Sequence, residues 1–307
     1  MRTFAVSLSS LVVGSLLALP SLATSPLPLE AVLKIQQQCS PTLIIRAQAL
    51  TQAQIDDACQ MLSQQEAKFH QLLNTHNRPV KHDNNTAMRA NIYADAEAYR
   101  TYVTAHFDVP SDNGGMYLEG FPDKPGNQAE FVAYQKNGAI WNLRHEYVHY
   151  LDGRFNLYGD FCASLHDSHS APEYCPKPAP ALPHLVWWSE GLAEYLAQGD
   201  DNKAAAQQAA KGTYRLSEIF DTSYEHNGGS DRVYRWGYLA VRFMMENHKD
   251  KLETMLGFTR KGDYPRYQAL VREWGTGMDE EFSLWLKKIA KNLPPEGTNS
   301  KSASLNK

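Results

Sequence analysis

The pentapeptide HEYVH at positions 145–149 constrains this chain more than any other stretch. It lies in a segment of helical apolar periodicity, Ile140–Leu151. Residues four apart share one face of a helix, so His145 and His149 would offer two imidazole nitrogens to one metal ion. Zinc in catalytic sites takes three protein ligands and keeps a position for water, whose pKa then falls to about 7. The pattern therefore predicts a zinc site with Glu146 as the general base.

A second stretch, WWSEGLAEYLA at 187–197, carries two carboxylates four residues apart in an apolar, helix-forming context. Taken alone, an H-E-x-x-H pattern also occurs by chance in helices with surface histidines, and two spaced acids are also typical of a solvated face. Together the two stretches complete one site, because Glu190 would be the third zinc ligand and Glu194 would accept the other ring N–H of a histidine ligand. The neighbouring Trp187 and Trp188 argue against a solvated helix.

Four blocks, in this order, resemble the peptidase domain of bacterial collagenases, which are secreted zinc metallopeptidases of the gluzincin type. The blocks are DNGGMYLEG at 112–120, HEYVHYLDGRF at 145–155, WWSEGLAEY at 187–195 and YRWGYLAVRFM at 234–244. The resemblance extends from about residue 80 to about residue 290. It implies an α+β, zincin-like fold with a small sheet packed on the HExxH helix and a mostly helical C-terminal half.

The resemblance also implies roles for residues outside the zinc ligands. An edge strand beside the zinc would pair with extended substrate, and Gly114 and Gly115 would permit its close approach, unless they form an ordinary turn before a strand. A tyrosine near the zinc would donate a hydrogen bond to the oxyanion of the tetrahedral intermediate. Tyr234 fits this role best and Tyr238 is the fallback, while a core position is the alternative for each.

A calcium ion is a further expectation from the resemblance. Glu119 would provide a carboxylate oxygen, and the loop at 153–159 would provide backbone carbonyls. Such oxygen ligands suit calcium. The loop matches the family only in part, so its carbonyl ligands stay unassigned.

The N-terminus predicts export. Residues 1–23 combine a positive start, a short apolar core and small residues at 21–23, as in a secretory signal peptide that is cleaved after Ala23. The apolar core is shorter than the roughly 20 residues of a membrane anchor. We therefore expect a protein that is secreted or extracellular, with the periplasm as the alternative.

An even number of cysteines in an exported chain predicts two disulfides. The four cysteines are Cys39, Cys59, Cys162 and Cys175. Of the three pairings we expect the one between nearest neighbours in sequence. For the second pair, a structural zinc site that includes His166 and His169 is the alternative.

Three further segments complete the expected organisation. Residues 24–78 have apolar spacings of three and four, which predict a helical N-terminal cap stapled by the first disulfide. Mixed strand and helix patterns then begin, so we place the peptidase domain at 79–290. The composition of residues 291–307 predicts a disordered tail.

The net charge of −4, with scattered rather than clustered basic residues, gives no basis for nucleic-acid binding. No stretch after the leader is long and apolar enough to span a membrane, so we expect a soluble protein. We also expect it to be a monomer.

These features together predict a secreted zinc endopeptidase that acts on a protein or peptide, and the resemblance implies collagen or gelatin. A secreted peptidase of broad specificity is one alternative. A zinc-binding surface protein without turnover is the other, and Glu146 argues against it because binding alone needs no general base.

Overall fold

The computed structural model describes residues 26–159, 183–224 and 228–291, and the strands lie in the first of these ranges. Its elements in chain order are α1 (Leu29–Val32), β1 (Ile35–Ser40), β2 (Leu43–Ala47), α2 (Gln52–Leu73), β3 (Met88–Tyr93), α3 (Ala96–Phe107), β4 (Gly115–Leu118), β5 (Glu130–Lys136), β6 (Ala139–Ile140) and α4 (Leu143–Asn156). The later ranges contain α5 (Val186–Gln198), α6 (Lys203–Lys211), α7 (Leu216–Phe220), a π-helix (Asp231–Trp236), α8 (Gly237–Asn247), α9 (Lys249–Thr259) and α10 (Tyr264–Lys291). The protein therefore has a mixed α/β architecture with a helical C-terminal half.

The strands form one six-stranded sheet in the order β1-β2-β3-β5-β4, and β6 pairs with β5. The central pairings, β2 with β3 and β3 with β5, are parallel, and the outer pairings are antiparallel. Strand β4 lies at the end of this order, so its second backbone edge faces away from the sheet. The end strand of a sheet is the position at which an extended peptide can add as a further strand.

Side chains of alternate strand residues pack on opposite faces of the sheet. In β5, Phe131 and Ala133 join the core that includes residues of α2 and α4, whereas Val132 joins the core that includes Tyr99 of α3. This alternation follows from the two-residue period of a strand. The helix with the HExxH pattern thus packs on one face of the sheet, and α3 covers the other.

The predicted helical N-terminal cap is wrong for residues 35–47, which form a β-hairpin. Leu43, Ile45 and Ala47 are buried in alternation, and Ile44 between them faces the other side. Alternate burial is the two-residue period of a strand, and the segment is rich in β-branched residues, which favour strands. These two features outweigh the weaker helical spacing of apolar residues in the segment that precedes them. The hairpin extends the sheet, because β2 pairs with β3.

The first predicted disulfide is confirmed, but it connects different elements from those expected. Cys39 of β1 is bonded to Cys59 of α2, with the two Cα atoms 5.1 Å apart. It therefore fastens a helix to the sheet and does not join two helices.

Several predictions lie outside the described residues. They are the signal peptide, the Cys162–Cys175 pair with its alternative zinc site, and the C-terminal tail. Among the helices that the structure describes, none has the length and apolar character that crossing a membrane requires.

Candidate metal centre

Helix α4 is held by tyrosines that point away from its two histidines. The Tyr147 hydroxyl donates to Glu66 Oε2 of α2 at 2.8 Å, and the Tyr150 hydroxyl donates to the Thr86 carbonyl at 3.1 Å. Both tyrosines are fully buried. Because residues four apart share a face, this anchoring leaves His145 and His149 together on the side toward α5, with ring centroids 4.8 Å apart.

Helix α5 brings a carboxylate to both imidazoles. Glu190 Oε2 lies 3.0 Å from His145 Nε2 and 3.6 Å from His149 Nε2. His145 and Glu190 are 3% and 5% exposed, so this contact is shielded from water. In the described part of the chain, this is the one group of three histidine, cysteine or acidic side chains whose donor atoms lie within 4.8 Å of one another.

The three donor atoms fit a zinc ion. Zinc bonds of about 2.0–2.2 Å in a tetrahedral arrangement separate neighbouring ligand atoms by roughly 3.3 Å. The two observed separations, 3.0 and 3.6 Å, lie on either side of that value. Two imidazoles and one carboxylate are also a common donor set in catalytic zinc sites, which keep a position for water.

The charges of this group favour a cation. Burial would raise the pKa of Glu190, but the two imidazoles outweigh it and hold that pKa well below its usual value. Burial would lower the pKa of His145, but Glu190 and Glu194 outweigh it and raise that pKa well above its usual value. The Glu190 carboxylate thus stays ionised and attracts positive charge, which a bound metal would supply.

The outer nitrogens of both histidines face polar groups of α5. His145 Nδ1 lies 3.2 Å from Glu194 Oε1, although it has no aligned hydrogen-bond partner among the described residues. His149 Nδ1 lies 3.2 Å from Ser189 Oγ. Partners of this kind set the orientation of a histidine ring that binds a metal. Glu194 was predicted for this position, whereas Ser189 was not, although it directly precedes Glu190.

The predicted general base, Glu146, is buried beside this group. Its side chain is fixed by Asn142, whose Nδ2 donates to Glu146 Oε1 at 2.8 Å. Asn142 adopts a left-handed backbone conformation, with φ of 53°, directly before α4 begins. The hydrogen bond occupies one carboxylate oxygen and leaves the other without that constraint.

Tyr234 and Tyr238 lie in different surroundings. Tyr234 sits in the π-helix, a rare form that occurs frequently at functional sites, and its ring centroid is 5.9 Å from that of His145. Glu190, together with burial, raises the pKa of Tyr234, so its phenol keeps its proton for donation. The hydroxyl of Tyr238 instead donates to the Gly199 carbonyl at 2.8 Å. The geometry therefore favours Tyr234 over the fallback.

Tyr224 contacts one of the three candidate metal ligands, Glu190, and was not predicted from the sequence. Its hydroxyl donates to Glu190 Oε1, and burial together with Glu190 raises the pKa of Tyr224 well above its usual value. With Oε1 engaged by this phenol, Oε2 is the oxygen that faces both imidazoles. Tyr224 lies 34 residues after Glu190 and outside every motif, so nothing in its sequence surroundings pointed to it.

We expect Tyr224→Phe to weaken zinc binding by about 10- to 100-fold, the usual cost of losing a partner that orients a metal ligand. Competition with a chromogenic chelator measures this affinity. Tyr264→Phe is a matched control, since it removes a buried phenol that donates to the Tyr158 carbonyl at 3.0 Å. Equal zinc affinities for the two variants would show that Tyr224 does not orient Glu190.

The two glycines predicted to border the substrate lie at the start of β4. Gly115 has φ of 139°, and a Cβ there would lie 2.5 Å from the Val132 carbonyl oxygen of β5. A Cβ on Gly114 would lie 2.7 Å from the Trp141 ring. Both positions therefore exclude side chains because of contacts within the protein, so the need for glycine here is explained by packing against β5 and Trp141, and a role in substrate approach stays a prediction.

Glu119 follows β4, and its carboxylate lies against the α4 backbone, where a Cβ on Gly153 would overlap Oε1. Among the described residues Glu119 belongs to no group of three histidine, cysteine or acidic side chains that converge on one point. Calcium at this position stays a prediction without support.

Known proteins resemble the chain over almost all of its described length. The family model described as Collagenase, Peptidase_M9, matches residues 27–285. A microbial collagenase of Vibrio alginolyticus is 46% identical over 270 residues, which cover 86% of this chain and 31% of the relative. A microbial collagenase of Vibrio parahaemolyticus is 42% identical over 273 residues, with 87% and 31% covered. Collagenase ColT of Clostridium tetani is 23% identical over 243 residues, with 74% and 22% covered.

The proteins that match are collagenases, a class of peptidase. More particularly, the chain belongs to the Peptidase_M9 collagenase family. The matched segment spans about a third of the length of each Vibrio relative.

Proposed function

We propose that this protein is an exported zinc endopeptidase of zincin-like fold that hydrolyses internal peptide bonds of collagen or its denatured form, gelatin. The observation that carries the proposal is the convergence of His145, His149 and Glu190 beside the buried Glu146. Membership of the collagenase family supports the substrate class.

The metal would be held by His145 Nε2, His149 Nε2 and Glu190 Oε2, which form the donor set described above. Zinc supplies Lewis acidity, which polarises a carbonyl and lowers the pKa of a water molecule. Glu194 and Ser189 keep the two imidazoles in the orientation that directs their Nε2 atoms to the centre.

Proton transfer falls to Glu146. Its carboxylate accepts a proton from the attacking water and later delivers that proton to the amine that leaves. The hydrogen bond from Asn142 holds the carboxylate in place during both transfers. The phenol of Tyr234 donates a hydrogen bond to the carbonyl oxygen as negative charge develops on it.

Substrate orientation falls to the edge strand. Strand β4, at the end of the sheet, would pair with an extended peptide, and Gly114 and Gly115 would contribute their backbone at the start of that strand. Strand β4 contacts α4, so a peptide paired with this strand would lie on the α4 side of the molecule.

Cleavage of gelatin, casein and native collagen by the same preparation tests the proposal. We expect gelatin to be cut, with faster cleavage of gelatin than of casein at equal mass concentration. Similar rates on gelatin and casein would favour the peptidase of broad specificity. Zinc binding without cleavage of any of the three would favour the binding protein and overturn the proposed activity.

A further inference from the structure

A cavity of about 600 Å³ lies between helix α3 and the start of strand β4. Gly114, which directly precedes the strand proposed to pair with substrate, forms part of its wall. Trp141 forms another part and directly precedes Asn142, the residue that fixes Glu146. The lining thus includes one glycine assigned to substrate pairing and the neighbour in sequence of the residue that fixes Glu146.

Three aromatic residues line the cavity: Tyr99, Tyr134 and Trp141. Tyr99 is fully buried, its hydroxyl donates to Asn113 Oδ1 at 2.5 Å, and its ring packs 5.5 Å from that of Tyr134. The Trp141 ring lies against Gly114, where any side chain would displace it. Such rings form apolar surface for the methylene groups of a bound side chain.

The charges at the cavity are mostly positive. Arg100 and Lys136 both line it, and neither forms an ion pair with any residue that the structure describes. Asp112 is the one acidic side chain in the lining. Two cations and one anion leave an excess of positive charge next to an aromatic surface. The positive charge complements a carboxylate, and the aromatic surface complements the short aliphatic stem that carries it.

We propose that this cavity is a specificity subsite that binds an acidic side chain of the substrate, glutamate or aspartate. The methylene groups would lie on the aromatic wall and the carboxylate would lie between Arg100 and Lys136. This inference rests on the proposed peptidase function, since it assigns a substrate preference to the same site.

The test uses peptides with both termini blocked, in which one position near the scissile bond is Glu, Gln or Lys and all other positions are constant. At one such position, kcat/KM for the Glu peptide should exceed that for the Gln peptide by roughly threefold, as expected of an exposed ion pair. Lys136→Glu should reverse the order, so that the Lys peptide is cut fastest. A parallel set with a free C-terminal carboxylate shows whether a chain terminus binds in the same way.

Lys287→Glu is the matched control, because it makes the same charge change at an exposed position of α10. It should leave the ratio of Glu to Lys cleavage unchanged. Each ratio is taken on one preparation, so differences in zinc content or in overall activity cancel. A ratio that Lys136→Glu and Arg100→Glu both leave unchanged would overturn the subsite.

Equilibrium binding of the same peptides to the Glu146→Gln variant separates this inference from the proposed function. If the wild type cuts no peptide but the Glu146→Gln variant binds the Glu peptide more tightly than the Gln peptide, the subsite stands and the peptidase activity fails. If peptides are cut and neither cleavage nor binding depends on charge, the activity stands and the subsite fails. Absence of both cleavage and charge-dependent binding would overturn both.

Discussion

Replacing Glu146 with Gln is expected to reduce gelatin cleavage by at least about a hundredfold while bound zinc stays at the wild-type level. General base catalysis by a positioned side chain contributes typically 10²- to 10⁴-fold to a rate. The amide keeps the shape of the carboxylate but has no basic oxygen to accept the proton of water. Glu146 is not among the three donors that converge on one point, so its loss should not remove the metal.

Initial rates on fluorescent gelatin, with zinc measured on the same samples, check this prediction. Glu273→Gln is the control, because it makes the same chemical change at an exposed residue of α10. A Glu146→Gln variant with full zinc and a rate within tenfold of the wild type would remove Glu146 from the mechanism. Loss of zinc together with activity would instead assign Glu146 a role in metal binding.

Gly191→Ala is expected to lower both the free energy of unfolding and the affinity for zinc. Helices α5 and α8 cross where Gly191 meets Gly237, and a Cβ on Gly191 would overlap the Gly237 carbonyl and lie 2.8 Å from Val241 Cγ2. Forcing atoms into such a packed contact typically costs about 1–3 kcal/mol. The helices can separate only by moving Glu190, which directly precedes Gly191, so the metal ligand should be displaced too.

Gly257→Ala provides a matched control within a helix. Gly257 lies in α9, and a Cβ there would meet no atom within 4 Å. Alanine is favoured over glycine inside helices by roughly 0.5–1 kcal/mol, so this variant should be slightly more stable than the wild type. Chemical denaturation and chelator competition measure the two effects. If Gly191→Ala behaved like Gly257→Ala in both, the crossing would not position Glu190.

Local patterns were sufficient to predict the elements around the metal site. The four-residue spacing of His145 and His149 and that of Glu190 and Glu194 each lie on one helix, and short-range periodicity reports helices well. That the two helices meet depends on tertiary packing. The structure brings their donor atoms together, as the shared chemistry of the two motifs suggested.

Features that depend on long-range contacts were not predictable in this way. Tyr224 reaches Glu190 from a segment without regular secondary structure, so no periodicity marks it. The hairpin at residues 35–47 was missed because its first strand is rich in glutamine and only the second shows clear alternation. Its second strand pairs with β3, and the paired residues Ile45 and Ala90 are 45 positions apart in sequence. Local spacing of residues carries no information about so distant a partner.

Gelatin cleavage by metal-free protein, before and after the addition of one equivalent of zinc, tests the central claim most directly. We expect protein stripped by a chelator to be inactive and one equivalent of zinc to restore the wild-type rate, since His145, His149 and Glu190 form a single site. Full activity in protein from which zinc has been removed would contradict it.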